Sequence, residues 1–538
     1  MKSVFLLVFL FGITFCQAQV QPPKLMIGIV VDQMKYDFII RYQSDFSDGG
    51  FNRLTREGFV YRNAHYNYVP TKTGPGHASI YTGTTPARHG IAGNDWYVPA
   101  IGRTLNCVED TTEVAVGGVA KSGMVSTRNL LSTTVTDELR MFYNMKSKVI
   151  GISIKDRGAS LPAGHNPTGA YWYDLESGNM ITSTYYTDKL PIWVSDFNSK
   201  KRFKFYLDQT WDYYKDEITY NESTSDDNAF EDEAWKGFGN TFPYDYTKEK
   251  DNPRALKYSP FSNQYLREFV ELAIKSEELG SDNITDFLTI SFSATDDLGH
   301  RFGPRSREVQ DIYLRLDFEI SELLKFLDKE VGENNYAVFL TADHGASDIP
   351  SLLVSEKMPG GYQNNGYLKT QIQNGLKDKF GDGDWVHKII NNQVYINKGL
   401  IKEMKLDLAE VQSAVVPILL GESYIAEVFT ATQIAQRNFT DPMGIKLQNG
   451  YNRQLSGDVF IVFNSGYLSD SYGRKGTDHI SGYTYDTHIP IIFFGKGIKP
   501  GNSVRKVDIT DIAPTVSTLL NITLPSAATG NPLIEIFE

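Results

Sequence analysis

Five short apolar runs constrain the fold more than any other feature of this chain. They are Leu25–Val31, Val149–Ile154, Phe287–Phe292, Tyr336–Leu340 and Ile489–Phe494. None alternates with polar residues, so each reads as a strand covered on both faces, the condition of a buried parallel strand. Helical patterns lie between them, for example Glu308–Leu327 and Tyr265–Leu279. Strand and helix in alternation predict an α/β fold, with a mostly parallel central sheet flanked by helices. Two stretches break the alternation. Residues about 165–262 are rich in Tyr, Trp, Asp and Asn, and residues about 350–460 have strand and helix patterns of their own. Polar motifs fall on both sides of each, so we read them as cap-like insertions in a single domain spanning 19–538.

Composition narrows the partners. Lys and Arg number 53 against 65 Asp and Glu, a formal charge of -12. A nucleic-acid binder would want a basic face, so none is expected as partner. The first 18 residues read as a secretory signal: Lys2, then the uncharged run Val4–Phe15, then Cys16-Gln17-Ala18 as an approximate cleavage site. That run has 12 residues, too few for a membrane span, which needs about 20. No later run qualifies, so no stable membrane insertion is expected. A lipoprotein anchored through Cys16 is the alternative. Cleavage would leave Cys107 as the sole thiol, so no internal disulfide is possible. It would also remove Lys2 and take the charge to -13. The expected product is an exported monomer, periplasmic rather than secreted or surface-bound, held together by core size, bound metal or both.

In parallel α/β sheets, ligand groups gather past the carboxyl ends of the strands. Asp32 comes directly after the first run. Asp296, Asp297 and His300 come after the third, and Asp343 and His344 after the fourth. Lys155 and Arg157 come after the second, and Asn94 lies in Gly93-Asn94-Asp95-Trp96. A single Asp there is usually a helix N-cap. Four clusters at one edge are different: several carboxylates with two or three imidazoles suit two Zn²⁺ ions with N and O ligands. Asp296 and His300, four apart, would share one face of a helical turn. Lys155 and Arg157, two apart on a strand continuation, would share a face and offer a compact charge and a planar fork to phosphate oxygens. Standing alone, that pair would be an exposed basic strand end.

Together these pieces resemble the alkaline phosphatase superfamily. The motifs are VVDQM, VPTKTGPGHASIYTG, GIAGNDWY, SIKDRGASLPAGHNPTGAYW, SATDDLGHRFGP, TADHGA and GTDHISGYTYDTHIPIIFFG. They are most similar to the PafA-type phosphate monoesterases exported by Bacteroidetes. The likeness runs from about residue 24 to the C-terminus. It implies two zinc ions per chain, one held by Asp296, His300 and a late histidine, the other by Asp32, Asp343, His344 and the nucleophile. The nucleophile implied is Thr73, in Pro70-Thr71-Lys72-Thr73-Gly74-Pro75. Glycines come after it where related phosphodiesterases often carry a bulkier residue. The late histidine is His479 or His488. If the strand after His488 runs parallel, His488 sits at its amino end, the wrong edge. The family pattern also favours the loop of His479, which is therefore the expected ligand. The remaining histidines, His65, His77, His89, His165 and His387, read as structural, with His165 close enough to the Lys-x-Arg motif to support it.

The activity implied is hydrolysis of small phosphate monoesters through a phosphothreonine at Thr73, with Asn94, Lys155 and Arg157 holding the phosphoryl oxygens. Two rivals stand beside it. One is a phosphodiesterase or nucleotide pyrophosphatase on the same fold. The other is a non-catalytic exported metal-binding protein, for which a nucleophile and a cationic clamp would be superfluous. A sulfatase is disfavoured, because no Cys/Ser-x-Pro-x-Arg segment occurs.

Overall fold

The computed structural model describes residues 21–470 and 474–537. The signal reading at 1–18 and Cys16 lie outside the described residues. The core is an eleven-stranded sheet. At its centre five strands run parallel, in the order Tyr336–Thr341, Leu25–Val31, Asp286–Phe292, Val149–Ser153, Gly169–Tyr173. Every residue of Leu25–Val31 and of Asp286–Phe292 is buried. Each large aliphatic side chain so buried contributes about 1.5–3 kcal/mol relative to exposure. Long helices cover the sheet, including Arg307–Leu327 and Phe261–Ser276.

Register places the chemistry. Val31 lies opposite Phe292, Val30 opposite Thr341, and Ser291 opposite Ser153. The carboxyl ends of four strands are therefore level, and the loops and helices that leave them emerge along one edge.

One strand differs from expectation. His488–Gly495 is antiparallel to Tyr336–Thr341 and to Phe59–His65. The chain reaches it through the short helix Thr484–Thr487, already at the carboxyl edge, and no crossover intervenes. A strand buried on both faces carries no sequence mark of its direction, so the apolar run could not show this.

The stretch at about 165–262 does not lie wholly outside the sheet: Gly169–Tyr173 and Met180–Ser183 are sheet strands. Most of its aromatic residues are packing. Trp211, Tyr220, Tyr244 and Tyr246 are fully buried, with Trp211 Nε1 donating to Asp311 Oδ1 at 2.7 Å. The stretch at about 350–460 builds a separate four-stranded sheet, Val386–Ile390, Gln393–Ile396, Val459–Phe463 and Ile425–Thr430. Helices Asn365–Phe380 and Leu408–Leu420 pack on it around its own core of Leu368, Trp385, Val411 and Val415. Asn391 ties this unit to the site's rim by donating to Asp95 O at 2.6 Å. No described helix is long and apolar enough to cross a membrane.

Candidate active site

The level strand ends bring together two groups of ligand atoms. In the first, His344 Nε2 lies 3.5 Å from Asp32 Oδ1 and 3.5 Å from Asp343 Oδ2. Both carboxylate oxygens are buried without a hydrogen-bond partner. Thr73 Oγ1 is 3.5 Å from the same His344 Nε2. In the second, Asp296 Oδ1 lies 3.2 Å from His300 Nε2 and 3.6 Å from His479 Nε2. Asp296 and His300 share the helix Ala294–Phe302, so their i,i+4 spacing brings them together as expected. The groups adjoin, since the rings of His344 and His479 stack with centroids 3.4 Å apart.

The imidazoles are oriented alike. His300 Nδ1 faces Thr477 O at 2.9 Å, His344 Nδ1 faces Gly345 O at 3.0 Å, and His479 Nδ1 faces Thr71 O at 2.6 Å. A carbonyl can only accept, so each Nδ1 donates; Nε2 of His344 and His479 then turns a lone pair inward, the tautomer a metal ligand requires, while His300 Nε2 faces the Asp296 carboxylate. Burial holds His344 and His479 well below the ordinary imidazole value, hence neutral. Burial also lowers His300, but the adjacent Asp296 carboxylate outweighs it and lifts His300 to about 9. Burial, then Asp296, raises Asp32 to about 6; burial, then Asp32, raises Asp343 far above the carboxylate range. Burial would raise Asp296 too, but the Lys155 ammonium holds it well below that range. Two orphaned carboxylate oxygens, inward imidazoles and no thiolate fit divalent ions with N and O ligands, Zn²⁺ among them. Asp478 also approaches, 3.9 Å from His479 Nε2 and 4.0 Å from His300 Nδ1. That His300 nitrogen is committed to Thr477, and Asp478 Oδ1 is bonded to Lys72 Nζ at 2.9 Å. Asp478 therefore braces the nucleophile loop against the His479 loop.

Thr73 is the first residue of the helix Thr73–Thr82 and is 1% exposed. Its amide has no intrahelical acceptor and lies at the positive end of the helix. Asn94 Oδ1 accepts from Gly74 N at 2.6 Å, which turns the Asn94 amide nitrogen away from the helix. Gly76 is the glycine that matters for the wall. A Cβ there would lie 2.5 Å from Asp343 O, so only glycine lets the helix pack this closely on the ligand loop.

The Lys-x-Arg pair is not on a strand continuation. The strand ends at Ser153, Lys155 caps the helix Asp156–Ala163, and Arg157 is in its first turn. The strand rule for a shared face does not apply, yet both side chains line one cleft of about 250 Å³ with Thr73, Asn94 and the second ligand group. Lys155 Nζ sits deep, 2.6 Å from Asp32 Oδ2 and 2.5 Å from Asp296 Oδ2. The Arg157 side chain, 20% exposed, has Asp156 as its nearest carboxylate at 3.7 Å.

His488 stands apart from this site. Its ring stacks between Tyr36 and His65, and Nε2 donates to Arg62 O at 2.9 Å. Strand direction does not separate it from His479, because the antiparallel strand puts His488 at the carboxyl edge after all. Its strand pairs directly with Tyr336–Thr341, so what keeps it out is the direction of its ring, held over Tyr36 and His65 with Nε2 committed to Arg62 O. His165 bonds Asp137 Oδ2 at 2.9 Å and Leu130 O at 3.0 Å, and His77 and His89 are buried on Ser291 and Ser79.

Sequence reasoning missed Gln33, Lys72, Lys257, Tyr258 and Arg301. Gln33 Nε2 donates to Asp296 Oδ1 at 2.8 Å, and the other four line the cleft. Lys72 and Arg301 adjoin Thr73 and His300 in sequence, a signal that was available. Lys257 and Tyr258 carried none: they lie among the aromatic residues of 165–262 and reach the cleft only through the fold.

The model of the Type I phosphodiesterase / nucleotide pyrophosphatase family matches residues 26–484. Alkaline phosphatase PafA of Elizabethkingia meningoseptica is 43% identical over 517 residues, 96% of this chain and 94% of that protein. Alkaline phosphatase PhoV of Synechococcus elongatus is 41% identical, over 97% of this chain and 96% of its own length. The crystal structure of wild-type PafA superposes with a TM-score of 0.93 at 42% identity, covering 97% of this chain and all of that one. The chain belongs to the Type I phosphodiesterase / nucleotide pyrophosphatase family, within the alkaline phosphatase superfamily.

Proposed function

We propose that this protein is a phosphate monoester hydrolase, an alkaline phosphatase working with two zinc ions and a phosphothreonine at Thr73. Its two relatives above carry the alkaline phosphatase name. The observation that carries the reading is the pairing, in one cleft, of Thr73 with Lys155 and Arg157 beside two groups of metal-ligand type. Asp32, Asp343, His344 and Thr73 would hold one ion; Asp296, His300 and His479 would hold the other. Bound zinc supplies Lewis-acid charge to the attacking and departing oxygens.

The residues do the rest. Thr73 Oγ1 loses its proton and attacks phosphorus in line; the bond to the alcohol breaks, and the alcohol leaves protonated. Water then cleaves the phosphothreonine, which restores the hydroxyl and releases phosphate. Arg157, the Asn94 amide nitrogen and the Thr73 backbone N–H hold the non-bridging oxygens. Lys155 joins them once Asp32 and Asp296 are engaged by metal. A monoester dianion matches two cations. A diester has one charge and a second organic group, which would crowd the pair. The family's description names diesterases, so the rival must be tested.

The test is a rate comparison on nitrophenyl monoester and diester with zinc analysis. Lys155→Ala with Arg157→Ala should lower monoester turnover far more than diester turnover; equal losses would refute the assignment. Thr73→Ala should abolish the covalent intermediate. Export through residues 1–18 to the periplasm, a single catalytic domain over 19–538 and a monomeric state belong to the same reading.

A further inference from the structure

The cleft carries more positive charge than one phosphoryl group uses. Five of its lining residues are cationic, Lys72, Lys155, Arg157, Lys257 and Arg301, against two carboxylates, Asp296 and Asp297. Lys155 and Arg157 belong to the phosphoryl group in the reading above. Lys72 is tied to Asp478. Lys257 and Arg301 have carboxylate neighbours too, at 3.2 Å and 3.4 Å, but these pairs are longer than that of Lys72 and the cations more exposed.

They come from distant parts of the chain, and one ring gathers them. Lys257 ends the helix Pro253–Lys257, and Arg301 lies in Ala294–Phe302. The Tyr258 ring has Lys257 Nζ 5.3 Å and Arg301 Cζ 4.8 Å from its centroid, and Trp235 packs beside it at 5.4 Å. Each cation at that range is held by the ring face. Arg301 is also fixed by donating to Glu233 O at 2.8 Å, with Asp232 Oδ2 at 3.4 Å. Lys257 Nζ is 3.2 Å from Asp297 Oδ1, which in turn is 4.0 Å from Lys155 Nζ. Their side chains stay 20% and 25% exposed, so both are reachable from the cleft.

Their side of the cleft is set by the chemistry. In-line attack from Thr73 expels the leaving oxygen on the opposite face, beside Asp296, His300 and His479. Lys257, Tyr258 and Arg301 line the same cleft as Asp296, His300 and His479. The departing alcohol therefore emerges toward Lys257 and Arg301.

We infer that Lys257 and Arg301, braced on Tyr258, form a leaving-group subsite that favours phosphate monoesters whose alcohol carries a second anionic group. This rests on the monoesterase reading. The test uses the zinc-loaded full chain and phenyl phosphates of one size: unsubstituted, 3-carboxy and 3-trimethylammonio, with 1,3-phenylene bisphosphate to separate phosphate from carboxylate as the second anion. The wild type should show a higher kcat/KM for the carboxy than for the trimethylammonio ester. The double variant Lys257→Gln, Arg301→Gln should shrink that ratio about tenfold, a change of the size of one partly screened charge pair. Added salt should shrink it too, and Lys257→Arg should preserve it. The ratio is insensitive to general damage at the metal site, which lowers all substrates together. A wild-type ratio near one, or a ratio unchanged in the double variant and in each single variant, would overturn the subsite while leaving the monoesterase reading intact. Failure of the wild type on every ester would overturn both.

Discussion

Replacing Gly76 by alanine separates stability from catalysis in this site. Gly76 lies in the first turns of the helix that begins at Thr73, and a Cβ there would meet Asp343 O at 2.5 Å, Asp343 Cβ at 2.7 Å and Asp343 Cα at 2.9 Å. Two of these atoms are backbone, so no side-chain rotation relieves the clash. Ordinary contact begins near 3.4 Å, so helix and ligand loop must separate by about 1 Å, a displacement that can cost about 100-fold in rate when it misplaces reacting groups. The effect on stability is smaller, because opposing terms nearly cancel. Overpacking a core costs about 1–3 kcal/mol, while exchanging glycine for alanine inside a helix returns about 1 kcal/mol. The expected outcome is a loss of at most about 2 kcal/mol in urea unfolding together with a fall of about 100-fold in kcat/KM on a nitrophenyl monoester. Activity within twofold of wild type would show that the spacing between Thr73 and Asp343 is not what the close helix approach secures. A collapse of stability with proportionate loss of activity would place the role of Gly76 in folding alone.

Two further predictions use the same readouts. On the two-zinc reading, His479→Ala should lose about half of the bound metal and at least about 100-fold in turnover, whereas His488→Ala, whose ring stacks on Tyr36 and His65, should keep both; elemental analysis with rates decides, and the reverse pattern would invert the ligand choice. Glu231 and Glu308 are buried together, and burial, then their mutual repulsion in the case of Glu231, raises them to about 10 and about 8. Stability from a carboxyl raised above its ordinary 4.5 is full below that value and lost as pH climbs through the folded-state value. Glu231→Gln should therefore gain on wild type between pH 5 and pH 9 in urea unfolding, and an equal difference at both pH values would refute this.

Much of the site is legible in the chain because covalent adjacency does the placing. Asp32, Asp296, Asp343 and His344 each lie within a few residues of the end of an apolar run, and a buried parallel strand delivers the residues after it to one edge. Asp296 and His300 need only helical spacing. Lys155 and Arg157 are found by position, but a strand continuation is the wrong geometry for them, since the chain turns from strand to helix between Ser153 and Asp156. The aromatic wealth of 165–262 is visible in the sequence, but which rings pack and which one faces the cleft is not. Trp211 and Tyr244 are buried on Asp311 and Glu308, while Tyr258 holds two cations at the cleft wall.

Fold class, the sheet edge that carries the chemistry and most of the residues delivered there are readable along the chain, because period, run length and nearest neighbours are local properties. Packing between distant segments settled the direction of His488–Gly495, the turn of the His488 ring onto Tyr36 and His65, and the meeting of Lys257 with Arg301. Those depend on which distant strands and helices pair, and a strand buried on both faces carries no local record of its partner or its direction.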